Sequence, residues 1–144
     1  MRAMLVGQAP SRDTDGRPPF TGRSGRRLAE LAGVTYEDLP RVFELRNVFD
    51  RWPGRDGRGD AFPAREARRR ASGMVIDCER VVFVGVATAR AFGVIGAEPA
   101  SWFSWRGVVA AVVPHPSGIC RWWNDPRNVD AARRLLLEAS ACAG

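Results

Sequence analysis

A chain of 144 residues with 45% apolar residues is long enough for one domain with a real core and too short for two ordinary ones, so disorder is excluded. The formal charge is +6, and all 22 basic residues are arginine; the lack of lysine excludes Schiff-base catalysis by a side chain, a P-loop lysine and a side-chain lyase step. The first expected element is a buried strand, Ala3 to Val6, ending at Gly7, followed by a Pro/Gly/Asp/Arg-rich loop from Gln8 to Gly22. A helix should follow, with Ser24 as N-cap, Leu28 and Leu31 on its apolar face and Gly33 as its stop. Val42 to Phe49 reads as a second strand, Arg51 to Phe62 as a loop, and Pro63 to Ser72 as a short basic helix with Pro63 in its first turn. Val81 to Val84 is a third strand, leading through Gly85 into a helix at Ala87 to Phe92. Val108 to Val113 is a fourth strand, running into Pro114-His115-Pro116. The last helix lies within Asp125 to Cys142, with Asp125 as N-cap and Pro126 at its first position.

Continuous apolar strands alternating with helices predict an α/β fold: a single domain over 1–144, built as a three-layer α/β/α sandwich around a four-stranded parallel sheet. Ligands of such sheets bind beyond the carboxyl ends of the strands. Three of those ends carry unusual residues: Gly7-Gln8-Ala9-Pro10, Asn47, and His115-Pro116-Ser117-Gly118. Three scattered cysteines (Cys78, Cys120, Cys142) and one histidine do not have metal-ligand spacing, so no metal and no cofactor is expected. No apolar run reaches the roughly 18 residues of a membrane helix, and the first ten residues lack a signal-peptide pattern. A soluble cytoplasmic monomer with reduced thiols is expected, nucleoid-associated if its basic surface meets nucleic acid.

Gly7-Gln8-Ala9-Pro10, Gly16-Arg17-Pro18-Pro19-Phe20-Thr21-Gly22 and Ser24-Gly25-Arg26-Arg27-Leu28 together resemble the first motif region of uracil-DNA glycosylases, with spacing closest to families 4 and 5. Leu45-Arg46-Asn47-Val48 resembles the strand that supplies their base-reading asparagine, Val82 to Ala89 their strand-Gly-helix unit, and His115-Pro116-Ser117-Gly118 their histidine-proline motif. The resemblance covers nearly the whole chain in order. It implies a uracil-DNA glycosylase-like fold and a monofunctional DNA glycosylase that flips uracil or a related pyrimidine out of single- or double-stranded DNA and hydrolyses its N-glycosidic bond. In that reading Phe20 stacks on the base, Asn47 reads its amide edge, Ala9 and Pro10 wall the pocket, and His115 stabilises the leaving anion. Arg23, Ser24, Ser117, Gly118, Arg121 and Asn124 would contact DNA, and Trp122 and Trp123 are the candidates for a wedge in the minor groove. Arg17, Arg26 and Arg27 would extend the phosphate track.

The pattern departs from the family where water is held. Gln8 stands where family 4 has a glutamate, Ala9 where other families have Asp or Asn, and Arg23 where family 5 has an aspartate. Gln8 with Asp13 or Asp15 is left as the candidate water-holding set. The four-cysteine iron–sulfur cluster of family 4 is not expected on three cysteines. Two rival readings remain: a DNA-binding module of the same fold without base release, and an enzyme acting on nucleotides or modified bases.

Overall fold

The computed structural model describes residues 1–117 and 120–143. The chain order is β1 (Ala3–Gly7), α1 (Arg23–Ala32), α2 (Leu39–Val42), β2 (Phe43–Asn47), β3 (Arg55–Asp56), β4 (Gly59–Asp60), α3 (Ala64–Ser72), β5 (Arg80–Val84), α4 (Val86–Ala91), β6 (Phe103–Trp105), β7 (Val108–Val113) and α5 (Pro126–Ser140), with a 3₁₀ turn at Arg121–Asn124. The sheet has five strands in the order β2-β1-β5-β7-β6. The four expected strands, β2, β1, β5 and β7, are its parallel part.

The fifth strand, β6, corrects the expected count of four. It pairs antiparallel with β7 through a two-residue turn, Arg106-Gly107, in which both residues have positive φ (49° and 76°). That is the backbone a tight hairpin requires. The expected 51–62 loop likewise contains a small antiparallel hairpin, β3–β4, with Arg55 opposite Asp60.

Alternation within each central strand sorts the core into two layers. Ala3 and Leu5, Val82 and Val84, and Ala111 and Val113 face one side, where Leu28 and Leu31 of α1 and Leu135 and Leu136 of α5 cover them. Met4 and Val6, Val81 and Phe83, and Ala110 and Val112 face the other, against Ala67 of α3 and Phe92 just after α4. Both faces of the sheet are thus covered, which is why the strands read as unbroken apolar runs.

Helix ends follow the sequence unevenly. Asp125 caps α5 as expected, its Oδ1 accepting from the Arg127 N–H at 2.9 Å. Gly33 in left-handed geometry (φ 73°) closes α1. Ser24 is not the N-cap of α1: Gly22 holds that position, and Ser24 lies inside the first turn. Pro63 is the residue flanking α3, which begins at Ala64.

The chain passes from β1 to β2 on one side and then to β5 on the other. Neighbouring connections therefore diverge at the carboxyl end of β1, and a crevice opens there.

Candidate functional site

A cavity of about 580 Å³ occupies that crevice. Its floor is built where β1 and β2 end in register, Gly7 opposite Asn47. The pairing continues one step beyond both strands, with the Val48 N–H on the Gly7 carbonyl at 3.0 Å and the Phe49 N–H on the Gln8 carbonyl at 2.9 Å. Asn47 is 9% exposed and lines the cavity, and its amide has no hydrogen-bond partner among the described residues. Phe20 stands beside it in a turn, with φ 62°. A left-handed phenylalanine is a strained residue, of the kind that concentrates at ligand sites. Gly7 permits this juxtaposition: a Cβ there would lie 2.8 Å from both Asn47 Oδ1 and Phe20 Cζ.

The opposite wall comes from β5 and β7. The Gly85 N–H donates to the Val113 carbonyl at 2.7 Å, so the two strands stay joined as the chain turns away into Pro114 and His115. The Gln8 amide nitrogen and the His115 Cβ both flank Gly85; a Cβ at that glycine would meet them at 3.6 and 3.9 Å. The His115 carbonyl accepts from the Ser117 N–H at 2.8 Å and from the Trp123 indole at 2.9 Å, which fixes the turn. Its imidazole opens to solvent at the cavity mouth but is crowded by protein on one side. That desolvation pushes its pKa below the ordinary 6.5, against an opposing pull from the Asp60 carboxylate. At neutral pH the imidazole is therefore neutral, with one N–H to donate.

The two loop carboxylates part company. Asp13 lines the cavity. Asp15 is held outside it: Oδ1 accepts from Arg51 Nε and from the Trp52 N–H, both at 2.9 Å, and Oδ2 accepts from Arg51 Nη2 at 3.1 Å. The Arg51 bond first, then the Trp52 amide, lower the Asp15 pKa from 3.8 to about 2. Because this carboxyl is easier to ionise in the folded chain, its contribution is complete above pH 3.8 and is lost as pH falls toward 2. Acid titration followed on the Trp52 amide resonance should accordingly show this contact intact until below pH 3.8; release well above that value would refute the assignment.

Arg23 and Ser24 line the cavity at the start of α1, beside Ala9 and Pro10. Arg26 and Arg27 have partners within the fold. Arg26 stacks on Tyr36 at 4.4 Å, and Arg27 binds Glu30 at 3.1 Å and lies 5.8 Å from the Trp123 ring centre. Trp122 and Trp123 meet edge to face at 4.7 Å and pack, half-buried, on the α1–α5 core. Neither stands free of the surface as a wedge. Arg121 and Asn124 beside them are exposed. Ser117 is placed in the His115 turn, while Gly118 lies outside the described residues.

One cavity thus brings together Gln8, Ala9, Pro10, Asp13, Phe20, Arg23, Ser24, Asn47 and His115, and leaves Asp15, Ser117, Arg121, Trp122, Trp123 and Asn124 away from its lining. It adds a residue that the sequence did not single out, Asp60 on the hairpin. Chemically it offers an aromatic face, a carboxamide without a partner among the described residues, a neutral imidazole donor and carboxylates together. The three cysteines are free, and among the described residues no group of three His, Cys, Asp or Glu side chains is placed to hold a metal ion; three cysteines do not fit a four-cysteine cluster. Among the described residues no helix is long and apolar enough to cross a membrane. Compared with known protein families and with curated proteins, the chain matches none.

Proposed function

We propose that this protein is a monofunctional DNA glycosylase of the uracil-DNA glycosylase type, acting on uracil or a related pyrimidine. The observation that carries the reading is the meeting of Phe20, Asn47 and His115 in one cavity at the carboxyl end of a parallel sheet. A flipped pyrimidine stacks on Phe20. The Asn47 amide, having no partner among the described residues, pairs with its imide edge through one donor and one acceptor. His115 donates to the pyrimidine O2 as the glycosidic electron pair moves onto the base, and water adds to C1′. With no lysine in the chain, no side-chain amine traps the resulting sugar, and the product is an intact abasic site.

The test is base release from single-stranded and duplex oligonucleotides containing uracil, read as alkali-labile cleavage. Cleavage is expected; intact oligonucleotides after long incubation at high enzyme concentration would overturn the proposal. Trp123→Phe keeps an aromatic ring, though a smaller one, and deletes the N–H that holds the His115 carbonyl. A bond of this kind contributes about 1 kcal/mol, so release should slow about fivefold with the fold retained. An unchanged rate would mean that the indole does not position the imidazole.

A second reading, a DNA-binding module without base release, is favoured by one observation: Gln8 replaces the first-motif carboxylate, and Asp15 is taken up by Arg51. It predicts salt-sensitive DNA binding with no abasic product. Binding that does not weaken as salt rises would sink both readings.

A further inference from the structure

We propose that Asp60, at the end of the β3–β4 hairpin, is the carboxylate that orients and deprotonates the attacking water. The inference rests on the glycosylase reading of the same cavity. Asp60 lies on the cavity wall together with His115 and Asn47, although 13 positions separate it from Asn47 and 55 from His115 in the chain. Its Oδ1 accepts from the Trp52 indole N–H at 3.0 Å. The Trp52 backbone N–H in turn donates to Asp15, which also holds Arg51. The hairpin is closed at its base by the Ala61 N–H on the Gly54 carbonyl at 2.8 Å, and Phe62 beyond it packs edge to face on Phe49 at 5.4 Å. A chain of bonds therefore runs from the first-motif loop through Asp15 and Trp52 to Asp60. Asp15 is not the water-holding group of this arrangement; it anchors the residue that aims the carboxylate.

The geometry suits the task. The indole fixes one carboxylate oxygen and leaves Oδ2 without a protein partner among the described residues, while Asp13, the other cavity carboxylate, is tied by no side-chain bond. A carboxylate aimed in advance costs little reorganisation when charge develops. In the step proposed, the water oxygen bonds to C1′ and the C1′–N bond breaks with its electron pair leaving on the base. One water proton passes to Asp60, and the base anion is held by the His115 N–H until solvent protonates it. The negative charge of Asp60 also faces the sugar as it becomes cationic.

Four variants of the full chain test this: Asp60→Asn, Asp60→Glu, Asp13→Asn and Trp52→Phe. Each is assayed for single-turnover uracil release and DNA affinity, with the sole histidine followed by NMR titration. Asp60→Asn should lower the release rate by about 100-fold or more with DNA binding no weaker, since general-base catalysis contributes about 10²–10⁴. Asp60→Glu should recover part of the rate, and Asp13→Asn, on the same cavity wall, should lose markedly less than Asp60→Asn. Trp52→Phe should slow release without weakening DNA binding. The His115 midpoint should fall further in Asp60→Asn, because the carboxylate that opposes its depression is gone. Release within a few fold of wild type in Asp60→Asn, or a loss carried by Asp13→Asn instead, overturns the inference and leaves the glycosylase reading standing. An unmoved His115 midpoint overturns the placement of Asp60 whatever the rates. No release by the wild type overturns the glycosylase reading and the inference with it.

Discussion

His115→Ala is expected to slow uracil release by about 100- to 1,000-fold while leaving the protein folded, because removing one preorganised donor to a developing anion costs about that much. The substitution is clean on structural grounds. The side chain is exposed at the cavity mouth, so its loss opens no void in the core. The turn that carries it is held through the backbone, by the Ser117 N–H and the Trp123 indole on the His115 carbonyl, and both bonds survive in alanine. What disappears is the N–H itself. Crowding keeps that imidazole below its ordinary pKa of 6.5, so the group lost at neutral pH is a neutral donor rather than a charge. The same depression sets a sign for stability. Below pH 6.5 the unfolded chain takes up the proton first, so this contribution is complete above that value and is lost as pH falls through the lower folded value. Single-turnover release with DNA binding measured alongside checks the expectation. Equal rates in wild type and His115→Ala would remove the imidazole from the mechanism.

Gly25→Ala should be the most destabilising of the small substitutions. Gly25 lies in the first turns of α1, and a Cβ there would sit 1.8 Å from the Phe20 carbonyl oxygen and 3.0 Å from a Tyr36 ring carbon. Neither neighbour yields easily. Phe20 is already in a left-handed conformation, and the Tyr36 hydroxyl accepts from the Gly22 N–H at 2.9 Å, tying the turn to the helix start. Overpacking a site with no slack costs about 3 kcal/mol. For a domain of this size that lowers the melting temperature by about 10 °C. Because the atom that must move is Phe20's own backbone, base release should fall together with stability. Gly73→Ala is the matching control: Gly73 follows α3 with an ordinary φ of −88°, and the nearest atom to a Cβ there is 3.7 Å away. Melting of Gly25→Ala at the wild-type temperature would mean that the Phe20 turn is not braced by the helix.

The parallel strands were legible because burial on both faces leaves an unbroken apolar run, as in Val81 to Val84 and Val108 to Val113. Strand β6 was not, because Phe103-Ser104-Trp105 is too short to establish a period, although Arg106-Gly107 is a turn signal that could have revealed it. Asp125-Pro126 announced a helix correctly because side chain and ring act locally. Ser24 misled because its neighbour Gly22 takes the cap position with a φ of 101°, set by the turn before the helix. The same division runs through the site. Phe20, Asn47 and His115 sit at strand ends and loop motifs, where local sequence carries the signal. Asp60 lies in a run of Gly, Arg and Asp with no local mark, and tertiary contacts place it at the cavity: the Trp52 indole, which Asp15 anchors, and the closed β3–β4 hairpin.

The pairing of β1 with β5 has a kinetic consequence. His115 follows directly from β7, and its place against Gly85 exists only once β7 has docked on β5, as the bond from Gly85 to Val113 requires. Gly7 and Gln8 belong to the β1–β2 half, paired over 40 positions (Ala3 with Phe43), and Gly85 and His115 to the β5–β7 half, paired over 29 (Arg80 with Val109); the β1–β5 pairing, over 77 positions (Met4 with Val81), brings the two halves together. Pairings of such sequence separation form late in folding. An intermediate with β1, α1 and β2 assembled would hold Phe20 and Asn47 side by side yet lack His115. Such a species could bind a base without releasing it, so recovery of the two properties during refolding should be separated in time.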